Sequence, residues 1–206
     1  MTLFPLRNAL VVHANQDLKN LLTGILKPGM WATRFVSTNR EALLATNTKA
    51  YELIITSERT SGREDIELLR AIRAARPHTR LIILADASTP DEVLSAMREH
   101  AFSFFSKPYS LERLSEMILM ATEAPCWDDG IELRSTTPEW IQLDVRCQLR
   151  TADRLLQFMK ELAGLRRKNG KKWEWLSERS SSMQWSTVAG SIPRPIFKSS
   201  MCELGE

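Results

Sequence analysis

The stretch LIILADASTPDEVLSAMREHAFSFFSKPYS, residues 81–110, decides the fold class. Its first five residues are a continuous apolar run, as expected for a strand that is buried on both faces. Thr89 and Pro90 then begin a helix, because threonine caps a helix N-terminus and proline fits the first turn. A second apolar run follows at residues 102–105. Strand, helix and strand in this order predict one unit of a parallel sheet.

The same alternation fills the first part of the chain. Further strands are predicted at residues 9–13, 31–36 and 52–56, with helical patterns at 17–26, 40–44 and 66–72, and Ser110 caps a last helix. Five strands, each followed by a helix, predict a flavodoxin-like, doubly wound α/β fold with a five-stranded parallel sheet in the order 2-1-3-4-5. Because sites in such sheets lie beyond the carboxyl ends of the strands, residues 13–15, 57, 85 and 107 should meet at one edge.

Composition excludes several classes of protein. No apolar run approaches the length of a membrane helix, and the N-terminus lacks the apolar stretch of a signal peptide. The cysteines at 126, 147 and 202 show no spacing typical of a metal site or a disulfide framework. We therefore expect a cytoplasmic bacterial protein with no membrane contact and no cofactor.

The net charge of +3 comes from the C-terminal part of the chain. Residues 164–206 contain eight Lys or Arg and four Asp or Glu, which leaves the other residues with 20 basic and 21 acidic side chains. The folded part is thus close to neutral, and no helix-turn-helix pattern is present. We expect no nucleic-acid partner.

The runs ALVVH (9–13), LIIT (53–56), LIILA (81–85) and FSFFSKPY (102–109) together resemble a bacterial response-regulator receiver domain over residues 1–122. In that family the first strand ends in acidic residues that hold a divalent cation, and the third ends in the aspartate that accepts a phosphoryl group. The fourth strand ends in a serine or threonine that contacts the phosphoryl group. The fifth carries an aromatic switch residue and a lysine followed by a cis-proline.

This chain departs from the family pattern at most of these positions. The matching residues are His13, Ala14 and Asn15 for the acidic pocket, Ser57 for the acceptor, Ala85 for the hydroxyl, Phe104 for the switch, and Lys107 with Pro108 for the lysine and cis-proline. Magnesium prefers hard oxygen ligands, and an aspartyl phosphate cannot form on a serine. We therefore predict a degenerate receiver with no metal site and no enzymatic activity, in which Lys107 and Pro108 persist because the turn needs them for folding. Glu58 does not replace the acceptor, because strand alternation points it away from the edge.

The resemblance also implies a surface for partners. Receivers commonly dock or dimerise through the fourth helix, fifth strand and fifth helix, where Val93, Met97, Phe102, Phe104 and Tyr109 lie. We therefore expect a protein partner on this face, which can be a second copy of the chain.

The rest of the chain changes character. Residues 123–138 are predicted to be a linker, and residues 139–163 a strand and a helix that resemble the start of the ATP-binding domain of anti-sigma-factor serine kinases. This leaves an alternative function open, in which the chain is a truncated remnant of such a kinase with an N-terminal receiver.

Residues 164–206 have no apolar periodicity, and we predict a disordered tail outside the normal reading frame. The tryptophans at 173, 175 and 185 argue against an ordinary disordered tail. Re-reading each codon junction around residues 173–189 permits a helix resembling the one in which these ATPases carry a catalytic glutamate and a magnesium-binding asparagine. We interpret this as a one-base deletion near codon 164, which removes both residues from the translated chain.

Overall fold

The computed structural model describes residues 7–12, 14–27, 29–56, 62–123, 130–136, 141–146 and 148–168. The strands are β1 (Arg7–Val12), β2 (Trp31–Val36), β3 (Leu53–Ile55), β4 (Arg80–Ala85), β5 (Ser103–Ser106), β6 (Ile131–Thr136) and β7 (Ile141–Val145). The helices are α1 (Gln16–Ile25), α2 (Asn39–Thr48), α3 (Gly62–Ala75), α4 (Pro90–Arg98), α5 (Leu111–Glu123) and α6 (Leu149–Lys168). The first five strands form one parallel sheet in the order β2-β1-β3-β4-β5.

Local sequence signals set the helix starts. The Thr89 hydroxyl accepts a hydrogen bond from the Glu92 amide, and the Glu92 carboxylate accepts one from the Thr89 amide at 2.8 Å. This reciprocal capping satisfies two amides that the first turn of α4 would otherwise leave without partners. Thr38 caps α2 by accepting a hydrogen bond from the Glu41 amide, while the Glu41 carboxylate accepts one from the Ser37 amide at 2.8 Å.

The sheet is covered on both faces. Alternate strand residues such as Leu10 and Ile83 pack with α2, α3 and α4, whereas Val11 and Ile82 pack with α1 and α5. Every residue of β4 is buried, as its continuous apolar run predicts. The predicted flavodoxin-like fold is therefore confirmed.

The segment after α5 differs from the predicted linker. β6 lies inside residues 123–138 and pairs antiparallel with β7, with Leu133 opposite Leu143. In β6 only Ile131 and Leu133 follow the alternating apolar pattern of a strand. Two such residues are too few to distinguish a strand from a linker by sequence periodicity. α6 also continues to Lys168, beyond the predicted boundary at 163.

The unit of β6, β7 and α6 joins the main core. Ile131, Leu143 and Phe158 are buried in the same cluster as Val93 and Phe104. No helix in the described ranges is long and apolar enough to cross a membrane. The prediction of an out-of-frame tail falls largely on residues 169–206, which lie outside the described part of the chain.

Candidate functional site at the carboxyl edge of the sheet

The carboxyl ends of β1, β3, β4 and β5 meet at one edge because these strands are parallel neighbours. Of the residues predicted to lie there, Ala14, Asn15, Ala85, Lys107 and Pro108 are described, and each follows or ends one of these strands. The other predicted positions, His13 and Ser57, lie outside the described residues.

Ala14 and Asn15 form the turn between β1 and α1. The Asn15 side-chain oxygen accepts a hydrogen bond from the Leu18 amide at 2.8 Å, and its carbonyl accepts one from the Lys19 amide at 3.0 Å. Asn15 is therefore the N-cap of α1. Ala14 packs with its methyl group against the core on the α1 side. Neither residue brings a carboxylate to the edge.

Thr56 and Ala85 lie in the middle of the edge, at the carboxyl ends of β3 and β4. Thr56 is fully buried, its amide donates to the Ile82 carbonyl at 3.0 Å, and its hydroxyl accepts from the Leu84 amide at 3.1 Å. The hydroxyl thus holds β3 to β4 at the residue immediately before Ser57. Ala85 is also buried and presents only a methyl group.

Lys107 forms an ion pair that the sequence analysis missed. Its Nζ lies 3.1 Å from Oδ1 of Asp86, and both side chains are well exposed, at 46% and 71%. The Lys107 amide donates to the Ala85 carbonyl at 3.2 Å, and the Lys107–Pro108 peptide bond is cis. Asp86 directly follows Ala85, so its position at the end of a predicted strand was the signal that could have found it. An exposed pair of this kind contributes about 0–1 kcal/mol to stability.

Within the described ranges, no three Asp, Glu, His or Cys side chains come close enough to hold a metal ion. The residues described at the edge include two alanines, a capping asparagine, a buried threonine, Pro108 and the ion pair between Lys107 and Asp86.

The predicted partner face is covered by α6. Val93, Met97, Phe102 and Phe104 are all buried, and α6 packs against both α4 and β5. Phe102 and Tyr109 lie on the α1 and α5 side of the sheet, where the Tyr109 ring packs edge-on against Phe105 at 6.0 Å between ring centroids. The face on which a partner was expected is thus occupied by α6.

Arg154 and Gln157 of α6 bind the free edge of β5. The Arg154 Nε donates to the Phe102 carbonyl at 2.8 Å, and its Nη2 donates to the Ala101 carbonyl at 3.2 Å. The guanidinium also lies over the Phe102 ring, 4.7 Å from its centroid. Gln157 Nε2 donates to the Phe104 carbonyl at 3.2 Å. Both α6 side chains are nearly fully buried.

Glu161 completes this polar row one turn later. Its Oε2 accepts hydrogen bonds from the Ser106 amide, at 3.1 Å, and from the Ser106 hydroxyl, while Oε1 accepts one from Gln157 at 2.9 Å. Burial raises the pKa of the Glu161 carboxyl, and the hydrogen bonds from Ser106 and Gln157 oppose this shift in part. We call Arg154, Gln157 and Glu161 the polar ladder of α6.

The polar ladder supplies hydrogen-bond partners to the backbone groups at the outer edge of β5. β5 is an edge strand, and the outward backbone groups of an edge strand need partners when they are buried. A helix cannot extend the sheet with its own backbone, so its side chains must supply the donors and the acceptor. Arg154, Gln157 and Glu161 recur every three or four positions and therefore share one side of α6, but this spacing alone does not show that the side is buried.

Comparison with known proteins identifies the sheet-forming part of the chain. The model of the response regulator receiver domain family matches residues 9–119. The response regulator protein PilR of Pseudomonas aeruginosa is 26% identical over 115 residues, which cover 56% of this chain and 26% of PilR. The DNA-binding transcriptional regulator NtrC of Klebsiella pneumoniae is 30% identical over 101 residues, covering 49% of this chain and 21% of NtrC. The chain thus spans about a quarter of the length of these curated relatives.

Similar solved structures include a signal receiver domain and a response regulator. The signal receiver domain of an HD-domain-containing protein from Pseudomonas fluorescens Pf-5 has a TM-score of 0.49 and 21% identity, covering 57% of this chain and 95% of that one. A response regulator from Thermotoga maritima has a TM-score of 0.48 and 18% identity, covering 58% and 99% of the two chains.

Proposed function

The chain belongs to the response regulator receiver domain family, which gives it a role in signal transduction, and we propose that it acts through protein contact without being phosphorylated. We further propose that the chain has no catalytic activity of its own. The observation that carries the proposal is the chemistry of the carboxyl edge, where the described residues at family positions offer methyl groups, a capping amide and a lysine already paired with Asp86.

Phosphoryl transfer to a receiver needs two things that this edge does not supply. An aspartyl phosphate requires a carboxylate nucleophile, and the residue after Thr56 is Ser57. The transferring group also requires a divalent cation, which favours carboxylate ligands, and the sequence after β1 reads His13, Ala14 and Asn15. The Asn15 amide oxygen is already used to cap α1.

The response to phosphorylation would also lack a sensor at the fourth strand. Ala85 has no hydroxyl with which to contact a phosphoryl group, and its methyl group is buried. A ligand that makes no differential contact with two conformations cannot shift the balance between them. Regulation of this chain is therefore proposed to come from its partners or its abundance.

A second candidate function is favoured by the unit after the receiver. β6, β7 and α6 form a hairpin and a helix joined to the receiver core, and the sequence from residue 139 resembles the start of an ATP-binding kinase domain. On this alternative the parent gene encoded an ATP-dependent anti-sigma-factor serine kinase, and the chain is its truncated remnant. Resequencing the locus tests it: a neighbouring frame that continues into glycine-rich ATP-binding motifs supports the alternative, and stop codons in that frame contradict it.

The test of the main proposal is the intact mass of the chain after incubation with Mg²⁺ and acetyl phosphate. We expect no change in mass, while a receiver with the full carboxylate set, treated in the same tube, gains one phosphoryl group. A stoichiometric adduct on this chain that hydroxylamine removes would refute the proposal, because it would place an acyl phosphate on a carboxylate.

A further inference from the structure

The outer edge of β2 differs from the outer edge of β5. The polar ladder of α6 lies along β5, whereas β2, at the other end of the sheet, pairs only with β1 among the described residues. β2 contains no proline, and it keeps an unbroken register with β1 from Trp31 to Val36. Within the described part of the chain, β2 therefore lacks the prolines, bulges and covering elements that commonly block an edge strand.

The hydrogen bonds between β1 and β2 show which backbone groups of β2 point outward. The Arg7 amide of β1 donates to the Met30 carbonyl, directly before β2, at 3.0 Å. Because a parallel ladder uses every second residue of a strand, the even-numbered residues of β2 direct their amides and carbonyls at β1. The amides and carbonyls of Thr33 and Phe35 therefore point away from the sheet, where a further strand can pair with them.

Two cations flank this edge, one on each face of the sheet. The Lys19 ammonium of α1 lies over the Phe35 ring, 5.5 Å from its centroid, and Phe35 is 43% exposed. Arg34 is exposed and projects from the opposite face, because side chains alternate along a strand. Neither Lys19 nor Arg34 forms an ion pair with a carboxylate of the described residues. The edge of β2 thus combines outward backbone groups with uncompensated positive charge.

We propose that the outer edge of β2 binds an extended, acidic segment of a protein partner, which adds a strand to the sheet. This inference rests on the proposed function as a protein-contact module, and it assigns the contact to a surface that α6 leaves open. Main-chain hydrogen bonds to Thr33 and Phe35 hold the segment, as in other cases of strand addition. Carboxylates of the segment lie next to Lys19 and Arg34, because opposite charges on neighbouring strands stabilise a pair.

A second copy of the chain fits this edge less well. Pairing between two β2 strands would place Lys19 and Arg34 of both copies along the same pair of strands. Like charges that face each other across a strand pair are destabilising. The charge of the edge therefore favours an acidic segment over self-association.

The test uses the full chain and a peptide of about eight residues that alternates glutamate and threonine, since threonine favours strands and alternation places all carboxylates on one face. At about 90% saturation and low ionic strength, the amides of Thr33 and Phe35 should exchange with solvent about tenfold more slowly than in the free chain, as measured by NMR. The amides of Ala32 and Arg34, which already face β1, should change by less than about twofold. No binding at about millimolar peptide, binding without slower exchange, or equal slowing of all these amides would refute strand addition.

Thr33→Pro tests the backbone contact directly. It removes one outward amide and leaves the ladder with β1 intact, because proline is tolerated on an edge strand where the amide would face solvent. Thr33→Pro should bind the peptide at least about fivefold more weakly than the wild type, whereas the matched control Thr33→Val, which keeps the amide, should bind within about twofold of it. Equal affinities of the two variants would overturn the proposal.

Lys19→Glu/Arg34→Glu covers the case in which Thr33→Pro does not fold. This charge reversal should weaken binding of the glutamate peptide at least about tenfold and favour a peptide that alternates lysine and threonine. Equal affinity of the wild type for the two peptides would refute the acidic partner. Slower exchange of Thr33 and Phe35 that grows with protein concentration alone would assign the edge to a second copy and overturn the proposal.

These outcomes are distinct from those that test the proposed function. A phosphoryl adduct after treatment with acetyl phosphate would contradict phosphorylation independence, whatever the peptide does. A peptide that does not bind, with no adduct formed, would refute the proposal for β2 alone.

Discussion

Replacing Arg154 by alanine should loosen α6 from the edge of the sheet. The guanidinium donates to two backbone carbonyls, those of Phe102 and Ala101, and stacks on the Phe102 ring, and the residue is only 3% exposed. Arg150→Ala is the matched control. Arg150 lies one turn earlier on the same helix, and its 3.7 Å ion pair with Glu123 is between side chains that are 51% and 63% exposed.

The expected magnitude follows from burial. A hydrogen bond to a charged group contributes about 1.5–3 kcal/mol, and a buried acceptor left without a donor costs about 1–3 kcal/mol. Water can reach the two carbonyls once α6 loosens, so the losses do not add fully, and we expect Arg154→Ala to weaken the docking of α6 by about 2–4 kcal/mol. The exposed pair of Arg150 contributes about 0–1 kcal/mol.

Amide hydrogen exchange measured by NMR can isolate this effect, because two neighbouring amides report different contacts. The Ser106 amide donates to Glu161 of α6, whereas the Lys107 amide donates to the Ala85 carbonyl inside the sheet. Since about 1.4 kcal/mol corresponds to a factor of ten, the Ser106 amide should exchange about 30-fold faster or more in Arg154→Ala than in the wild type. The Lys107 amide should change much less in the same variant.

Three results would refute this reasoning. Ser106 exchange in Arg154→Ala could match that in Arg150→Ala, which would show that the buried guanidinium does not hold α6. Ser106 and Lys107 could accelerate equally, which would show that the substitution destabilises the sheet rather than the docked helix. Both amides could also remain as slow as in the wild type while the variant stays folded.

The docking of α6 should also depend on pH. Burial raises the pKa of the Glu161 carboxyl above its value in the unfolded chain, so the docked state binds the proton more tightly than the unfolded chain does. Protonation of Glu161 therefore contributes to the stability of the docked state. This contribution is fully present below about pH 4.3, the usual pKa of a glutamate, and it is lost as the pH rises through the folded pKa. Urea titrations between about pH 4 and pH 7 should show this loss of stability in the wild type, and the pH dependence should disappear in Glu161→Gln. A pH dependence that persists unchanged in Glu161→Gln would contradict its assignment to the Glu161 carboxyl. Truncation gives a further prediction. A chain ending at Lys168 should keep its Tm within about 2 °C of that of the full chain. A chain ending at Glu123 lacks α6, which uncovers Val93 and Phe104, so it should still fold but with a Tm lower by about 5 °C or more.

The fold was predictable from the sequence because its central strands, such as β3 and β4, are buried on both faces and therefore read as continuous apolar runs. β4 is apolar from Leu81 to Ala85 and fully buried, and β2 lies at the residues that its pattern predicts. The cap formed by Thr89 was predictable because threonine is a favoured residue at the position just before a helix. These signals are local, and the parallel topology follows from their order.

The covering of β5 was not predictable in the same way. Reading by polarity assigns Arg154, Gln157 and Glu161 to solvent, whereas the structure buries two of them almost completely. They are buried because the edge of β5 presents carbonyl and amide groups that need partners, and a sequence pattern does not show which backbone groups a fold leaves unpaired. The pairing of Lys107 with Asp86 was missed because the family comparison considered only the positions where that family has its chemistry.

The carboxyl edge of the sheet and the contact with α6 meet in two adjacent residues, Ser106 at the end of β5 and Lys107 directly after it. Lys107 holds Asp86 at the carboxyl edge, and Ser106, one residue earlier, holds Glu161 of α6. The Phe104 ring is fully buried, and the Phe104 carbonyl accepts a hydrogen bond from Gln157, so a displacement of the Phe104 backbone would break a contact with α6. Release of α6 would therefore free the backbone next to Lys107, whereas a change that starts at the carboxyl edge would have to break the docked contacts of Arg154, Gln157 and Glu161 before α6 could move. Any ligand that shifts the balance between the docked and released states of α6 must make different contacts with the two states, and the α4 and β5 residues that α6 covers are available to a ligand only in the released state.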